Sequence, residues 1–208
     1  MKKILLVVLI VATAAWSVSA SGIIKRRATT VGAQSWLVVH SDNFNRSNEN
    51  PIGSPWITGY GARGQILDNV YANVDGSYNY AVDNQAETAN QRVTVKALRA
   101  NSGVTVSYIF LRAKDDLSTE SVAVAFSSAV VGVYDNNNVV GTPVSCSVNV
   151  GDNVMVQFLD NTLTIYVNST LKRSDVFTSW RATGKTGLGS NHPANAAVWD
   201  DYVYEVYQ

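Results

Sequence analysis

The sequence predicts an all-β chain, an antiparallel two-sheet β-sandwich. Three observations carry this. From Trp36 onward almost every apolar run is short and rich in β-branched and aromatic residues. Runs such as "RVTVKAL" and "TLTIYVN" alternate apolar and polar positions, as a strand with one wet face does. The breaks between runs carry turn chemistry, in "VDGS", "ANSG", "YDNNN", "NVGDN", "LDN" and "VNST". No stretch sustains the 3.6-residue apolar period of a helix. About a dozen short strands at this spacing fold as two packed antiparallel sheets.

The elements follow in chain order. "MKKILLVVLIVATAAWSVSASG" places two lysines before the apolar run Ile4–Ala15, with small residues at Val18 and Ala20. This reads as a secretory signal peptide over 1–20. An uncleaved anchor is the alternative, but the run is shorter than the ~20 residues a span requires. Residues 21–35 have no period and bring Lys25, Arg26 and Arg27 together. They read as a linker or N-terminal arm, with a cleaved pro-segment as the other possibility. The sandwich is expected over 36–208. Its strand-like runs are "SWLVVHSDNF", "GQILDNVYANV", "YNYAVD", "QRVTVKALRA", "VTVSYIFLRA", "ESVAVAF", "VVGVYD", "CSVNV", "NVMVQFL", "LTIYVN", "LKRSDVF" and "AAVWDDYVYEVY".

Composition excludes some functions. Of 208 residues, 46% are apolar, enough for a core, and only 15% are charged. The formal net charge is zero, and losing Lys2 and Lys3 with the signal would shift it two units to the acidic side. A nucleic-acid partner is therefore not expected. Cys146 is the single cysteine and cannot form an intrachain disulfide. In "PVSCSVNV" it reads as a small core residue.

The order of four motifs resembles the concanavalin A-like, laminin-G-like jelly-roll superfamily, in the small form found in bacterial secreted and phage structural proteins. "DNFNRSNENPIGSPW" resembles its opening, an acid before Phe-x-Arg and then Ile-Gly-x-x-Trp. "VSYIFLRAKDD" resembles its apolar strand ending in arginine and an acidic turn. "VGDNVMVQFLDNTLTIYVNSTL" resembles its Gly-Asp, strand, turn, strand hairpin, with Ser169 at the usual glycine. "TGKTGLGSN" and "WDDYVYE" resemble its Gly-x-x-Gly-Leu stretch and closing strand. Together they cover about residues 36–208.

The resemblance implies a jelly roll whose first and last strands lie side by side. Phe44, Trp56 and Trp199 would then plug the core, and Asp42 and Arg46 would fix the turn leading to Trp56. Asn48 and Glu49 would sit on the exposed part of that turn. The superfamily often holds a structural calcium where these strands meet, which would bring Asp42, Asp200 and Asp201 together, with backbone oxygens from Asn43 or His40. A solvated turn whose acids cap backbone N–H groups is the alternative. Zinc is not expected from two histidines and one cysteine.

The fold alone does not choose a function. Family members that cleave glucans carry Glu-x-Asp-x-x-Glu on one strand, since glycoside hydrolysis needs two carboxylates about 5–10 Å apart. None of Glu49, Glu87, Glu120 and Glu205 begins that pattern. The chain is therefore not expected to be an enzyme, with a cryptic glycan-active enzyme as the third reading. Glycan binding in such folds uses aromatic platforms with amides at a concave face or loop rim. The candidate ligand-binding residues are Tyr78, Tyr80, Arg112, Tyr134, Asn137, Trp180 and His192, with Tyr60, Asn136 and Asn138 behind them. For each tyrosine, plain strand packing with its hydroxyl at the rim is the alternative. Arg112 ends a strongly apolar strand, and a buried or groove-facing ion pair with Asp115 or Asp116 is also expected of it.

The resulting expectation is a non-catalytic surface recognition or adhesion module that meets glycan. The alternative is a structural or assembly protein, such as a phage decoration or appendage subunit. Its partner would be another surface or virion protein, or a second copy held through edge strands or the N-terminal arm. Either protein would be secreted or displayed on a cell or virion surface.

Overall fold

The structure, a computed structural model, describes residues 34–57, 64–74, 79–98, 105–114, 121–178, 183–193 and 196–208. The signal peptide, nearly all of the linker, Tyr60, Tyr78, Asp115, Asp116, Glu120 and Trp180 lie outside the described residues.

The alternating runs form fifteen strands. In order they are β1 (Trp36–Asp42), β2 (Trp56–Ile57), β3 (Gly64–Leu67), β4 (Val70–Asn73), β5 (Asn79–Thr88), β6 (Gln91–Ala97), β7 (Ser107–Ala113) and β8 (Val122–Phe126). They continue as β9 (Val130–Asp135), β10 (Asn138–Ser145), β11 (Asn153–Leu159), β12 (Thr162–Val167), β13 (Thr170–Val176), β14 (Gly184–Ser190) and β15 (Ala197–Tyr207). One antiparallel sheet has eight strands in the order β13-β12-β11-β6-β15-β4-β3, with β1 also on β15. The other has seven, in the order β10-β9-β8-β7-β14-β5-β2. Their facing sides share one apolar core, with Val93, Val156 and Ile165 from the first sheet meeting Ile109, Val124 and Leu188 from the second.

The first and last strands pair as expected, with Trp36 opposite Tyr207 and Asp42 opposite Tyr202. Phe44, Trp56 and Trp199 are all buried in the core. Asp42 organises this corner. Its Oδ1 accepts from the Phe44 N–H at 2.8 Å and from the Arg46 guanidinium at 2.6 Å, and its Oδ2 accepts from the Trp56 indole N–H at 2.8 Å. The Phe44 backbone is left-handed (φ 53°), a conformation most residues avoid. The bond from its own amide to Asp42 holds it there. Trp56 packs edge-on to Tyr202 at 4.8 Å between ring centroids.

Glu49 departs from expectation. It is half-buried, accepting from Arg46 Nε at 3.1 Å and from the Gly53 N–H at 2.8 Å, while its backbone bridges to Ile66. Asn48 is exposed, but its Oδ1 accepts from the Asp68 N–H at 2.9 Å. The turn is thus a braced plug rather than a free loop.

Three further departures have local causes. "CSVNV" forms no strand; β10 lies just before it, and Cys146 is buried with its thiol pushed up by that burial. β14 hides behind three glycines, which propensity reads as loop. A Cβ on Gly187 would lie 2.7 Å from the Ala81 carbonyl oxygen, so the neighbouring strand requires glycine there. Arg173, placed on an edge strand, turns inward. It bonds the Val131, Val140 and Thr142 carbonyls and pairs with Asp175, closing one side of the sandwich.

Trp56→Ala should cost about 3–5 kcal/mol through lost burial and the cavity left behind, a large part of a domain's total of about 5–15 kcal/mol. Glu49→Ala should lower the melting temperature measurably, because it removes one of the two carboxylates that hold Arg46 and the side-chain acceptor of the Gly53 amide. Asn45→Ala, at an exposed position, should stay within about 0.5 kcal/mol of the parent. Thermal melts of the three variants test this, and an unchanged melt for Trp56→Ala would contradict its role as anchor.

Candidate functional site

Strand alternation divides the seven-stranded sheet into two faces. Ile109, Val124, Val133 and Leu188 enter the core, so their neighbours in sequence point away from it. Tyr80, Phe110 and Ala113 form a second buried cluster there, with Tyr108 and Ala123 packed against it. Register then builds two rows across the strands. The first runs Gly132, Ala125, Tyr108, Gly189, Tyr80. The second runs Val139, Tyr134, Ala123, Phe110, Gly187, Val82. Aromatic rings thus alternate with glycine and alanine.

The small residues leave room for the rings. Tyr108 and Phe110 stack at 5.9 Å and 14°, and Tyr80 meets Phe110 edge-on at 6.1 Å. The face is not uniform. On the β5 side Val82, Phe110 and Tyr80 are buried, at 0%, 2% and 7% exposure. Toward β10, Tyr108, Ala123 and Tyr134 are half-buried and Val139 is 56% exposed. Burial, and then the nearby Tyr134, push the Tyr108 hydroxyl's pKa up, so it stays neutral and able to donate. This half of the face offers rings, methyl groups and a hydroxyl to solvent.

Tyr80 and Tyr134 were singled out from sequence and share this face. Tyr108 and Phe110 were missed. Their alternate spacing in "SYIFLRA" was visible, but both faces of that strand are apolar, so the outer one could not be assigned. The other candidates separate. Asn137 occupies the exposed β9–β10 turn with a left-handed backbone. His192 is fully buried at the sandwich interior, its Nε2 3.0 Å from Ser107 Oγ. Arg112 is buried as well. Its guanidinium stacks 3.7 Å from the centroid of Phe158 and donates to the Ala89 and Asp160 carbonyls. Both side chains are thus held by contacts within the protein: an apolar strand with a polar end gives the same sequence signal whether that end meets ligand or backbone.

Asp42, Asp200 and Asp201 do come near one another through the β1–β15 pairing. A cavity beside Tyr202 and Val203 is lined by Asp42 and Asp201 together with Ser41 and Asn43. Burial first, then the charges of Asp201 and Asp42, push the Asp200 carboxyl up, while the Asp201 amide bonds its Oδ1 at 2.8 Å. This donor set does not suit a calcium ion. Calcium requires six to eight oxygens, and Asp42 already accepts from three protein donors, one of them a guanidinium. Among the described residues no three His, Cys, Asp or Glu side chains converge to hold a metal.

No protein-family model matches this sequence, and no curated protein matches it as a relative. Solved structures do match by shape. A protein of unknown function with a galectin-like fold from Bacillus subtilis shares 8% identity at a TM-score of 0.61, over 84% of this chain and 99% of its own. The carbohydrate recognition domain of Emp46p, in its potassium-bound form, shares 11% at 0.54, over 74% and 88%. The catalytic domain of an endo-1,3-β-glucanase (laminarinase) from Thermotoga petrophila shares 9% at 0.53, over 85% and 99%. With its two antiparallel sheets, this chain has the galectin-like, concanavalin A-like jelly-roll fold.

Proposed function

We propose that the protein is a non-catalytic recognition module that binds glycan on the outer face of its seven-stranded sheet, around Tyr108 and Tyr134. The observation that carries this is the half-open aromatic surface on β7 to β10. Sugar rings present apolar C–H faces, and aromatic rings offer them dispersion contact over a large area. Emp46p supplies a carbohydrate recognition domain of the same fold and the laminarinase an enzyme, so the likeness supports a glycan ligand and leaves binding or cleavage to the site. None of the side chains named on this face is a carboxylate, whereas glycoside hydrolysis uses two. The predicted leader and linker fit export to a cell or virion surface.

A second reading, as an assembly subunit, is favoured by β10. This edge strand carries no charged residue along Asn138–Ser145 and is mostly exposed; Pro143 and the irregular register between Val140 and Val144 interrupt its middle, so its ends are the parts open to pairing. Sedimentation equilibrium distinguishes the readings. A monomer at tens of micromolar removes the support for assembly through β10, and a dimer lost on Val139→Lys establishes it.

For glycan binding, an array screen followed by calorimetry should find a saturable ligand. Tyr108→Ala or Tyr134→Ala should weaken it at least tenfold, about 1.4 kcal/mol. Tyr134→Ala should do so with little change in melting temperature, since its ring is not in the main core. The same ligands incubated with the protein should yield no new reducing ends. Unchanged affinity in both variants would move the site elsewhere, and release of reducing sugar would make the protein an enzyme.

Calcium, implied by the resemblance, should not stabilise the protein through Asp42. Melting curves in excess calcium and in chelator should coincide. An ion held there would add about 2.7 kcal/mol at ~100 times its dissociation constant, and a gain of that size lost in Asp201→Asn would restore the metal reading.

A further inference from the structure

We propose that Gly132 is a positioning residue of the glycan face: it lets the Tyr134 ring lie down along β9, so that the site takes an uncharged pyranose ring stacked flat on it. This rests on the glycan reading above and specifies its ligand class. Gly132 and Tyr134 are two apart on one strand and therefore point to the same face. The Gly132 backbone is not left-handed, so conformation does not demand glycine there. What glycine supplies is room for one neighbouring ring. A Cβ at 132 would lie 3.1 Å from Tyr134 Cε2, 3.5 Å from its Oη and 3.6 Å from its Cζ. The three nearest atoms all belong to the Tyr134 ring, which therefore leans back over Gly132 instead of standing off the sheet.

Gly189 on the same face is different. Its Cβ would meet the Asn79 carbonyl oxygen at 2.9 Å as well as Phe110 Cε2 at 2.9 Å. Backbone stands in the way there, so a substitution disturbs the β14–β5 pairing. At 132 only a side-chain ring must give way, by a few tenths of an ångström. The two glycines thus separate ring placement from fold.

The neighbours of Tyr134 on this face decide the ligand's charge. Across the strands it faces Ala123 and Val139, Gly132 and Ala125 flank it in the next row, and Tyr108 lies close by. No charged side chain stands among them. Among the described residues, the charged side chain on this face is Lys185, opposite Ala113 and bonded to Asn84 Oδ1 at 2.8 Å, toward the far end. A sugar carboxylate over Tyr134 would be desolvated without a partner, whereas a neutral hexose loses nothing comparable.

The test uses neutral hexose oligosaccharides and oligouronates of equal length, measured by calorimetry against the whole chain and Gly132→Ala. The parent should prefer the best neutral ligand at least tenfold. Gly132→Ala should melt at or above the parent temperature, as glycine-to-alanine changes at compatible backbone do, and lose at least tenfold in affinity. In the parent, NMR should find the Gly132 α-protons shifted upfield by the overlying ring, and Tyr134→Leu should abolish that shift. A parent that binds neutral glycan as tightly as the variant overturns the proposal and leaves the glycan reading standing. Preference for uronates overturns the ligand class, and a Gly132 resonance without ring shift overturns the geometry even if the variant fails to fold. A parent that binds no glycan in either set removes the glycan reading itself.

Discussion

The buried carboxylate of Asp42 is the constraint on which the closure of the sandwich depends. An ionised carboxylate out of water is costly unless its oxygens are occupied by donors. Asp42 meets that requirement with a backbone amide, a guanidinium and an indole N–H. Each donor comes from the segment leading to β2, so satisfying the charge also fixes the path of the chain from one sheet to the other. Trp56, delivered by that path, fills the space between Phe44, His40 and Tyr202. Removing one donor would leave the others around an unmatched charge, and so the corner acts as a unit.

A second buried carboxylate ties the sheets deeper in the sandwich, through one of its oxygens. Asp83 on β5 accepts from Tyr202 of β15 at 2.9 Å and pairs with His40 of β1 at 2.7 Å, so one carboxylate joins both sheets. Burial, and then Asp83, push the Tyr202 hydroxyl's pKa up. It therefore keeps its proton for Asp83, and Thr186 supplies the proton for their 2.5 Å bond. Arg173 does the corresponding work at the opposite edge, through three carbonyls of β9 and β10. Apolar burial drives the sheets together without direction. These polar ties specify their register, because each works only when its partner is in place.

Such a scaffold leaves the β7–β10 half of one face of the seven-stranded sheet outside the main core. Its alternation of rings with glycine and alanine keeps the surface low, and burial of Tyr80 and Phe110 on the β5 side confines access to the β7–β10 side. A fold by itself does not choose a chemistry; the side chains at a site do. Here the side chains are aromatic and neutral, suited to contact area and hydrogen bonding.

The sequence by itself determined the class of fold, and the resemblance carried by its motif order implied the pairing of first and last strands and the buried anchors Phe44, Trp56 and Trp199. Alternation, turn residues and motif order are local signals, and they survive into the structure because they encode which positions turn inward. Other features were not legible. β14 was concealed because its glycines answer to the carbonyl of Ala81 and the ring of Phe110 on neighbouring strands. Arg112 and His192 looked like ligand residues because sequence gives polarity but not burial. Glu49 seemed free because its partners, Arg46 and the Gly53 amide, meet it only when the turn closes. Above all, the platform around Tyr108, Phe110 and Tyr134 joins β7 and β9, which touch only through β8. Tertiary structure alone decided it, because strand register, which no single strand contains, sets which side chains share a face and which of them still reach water.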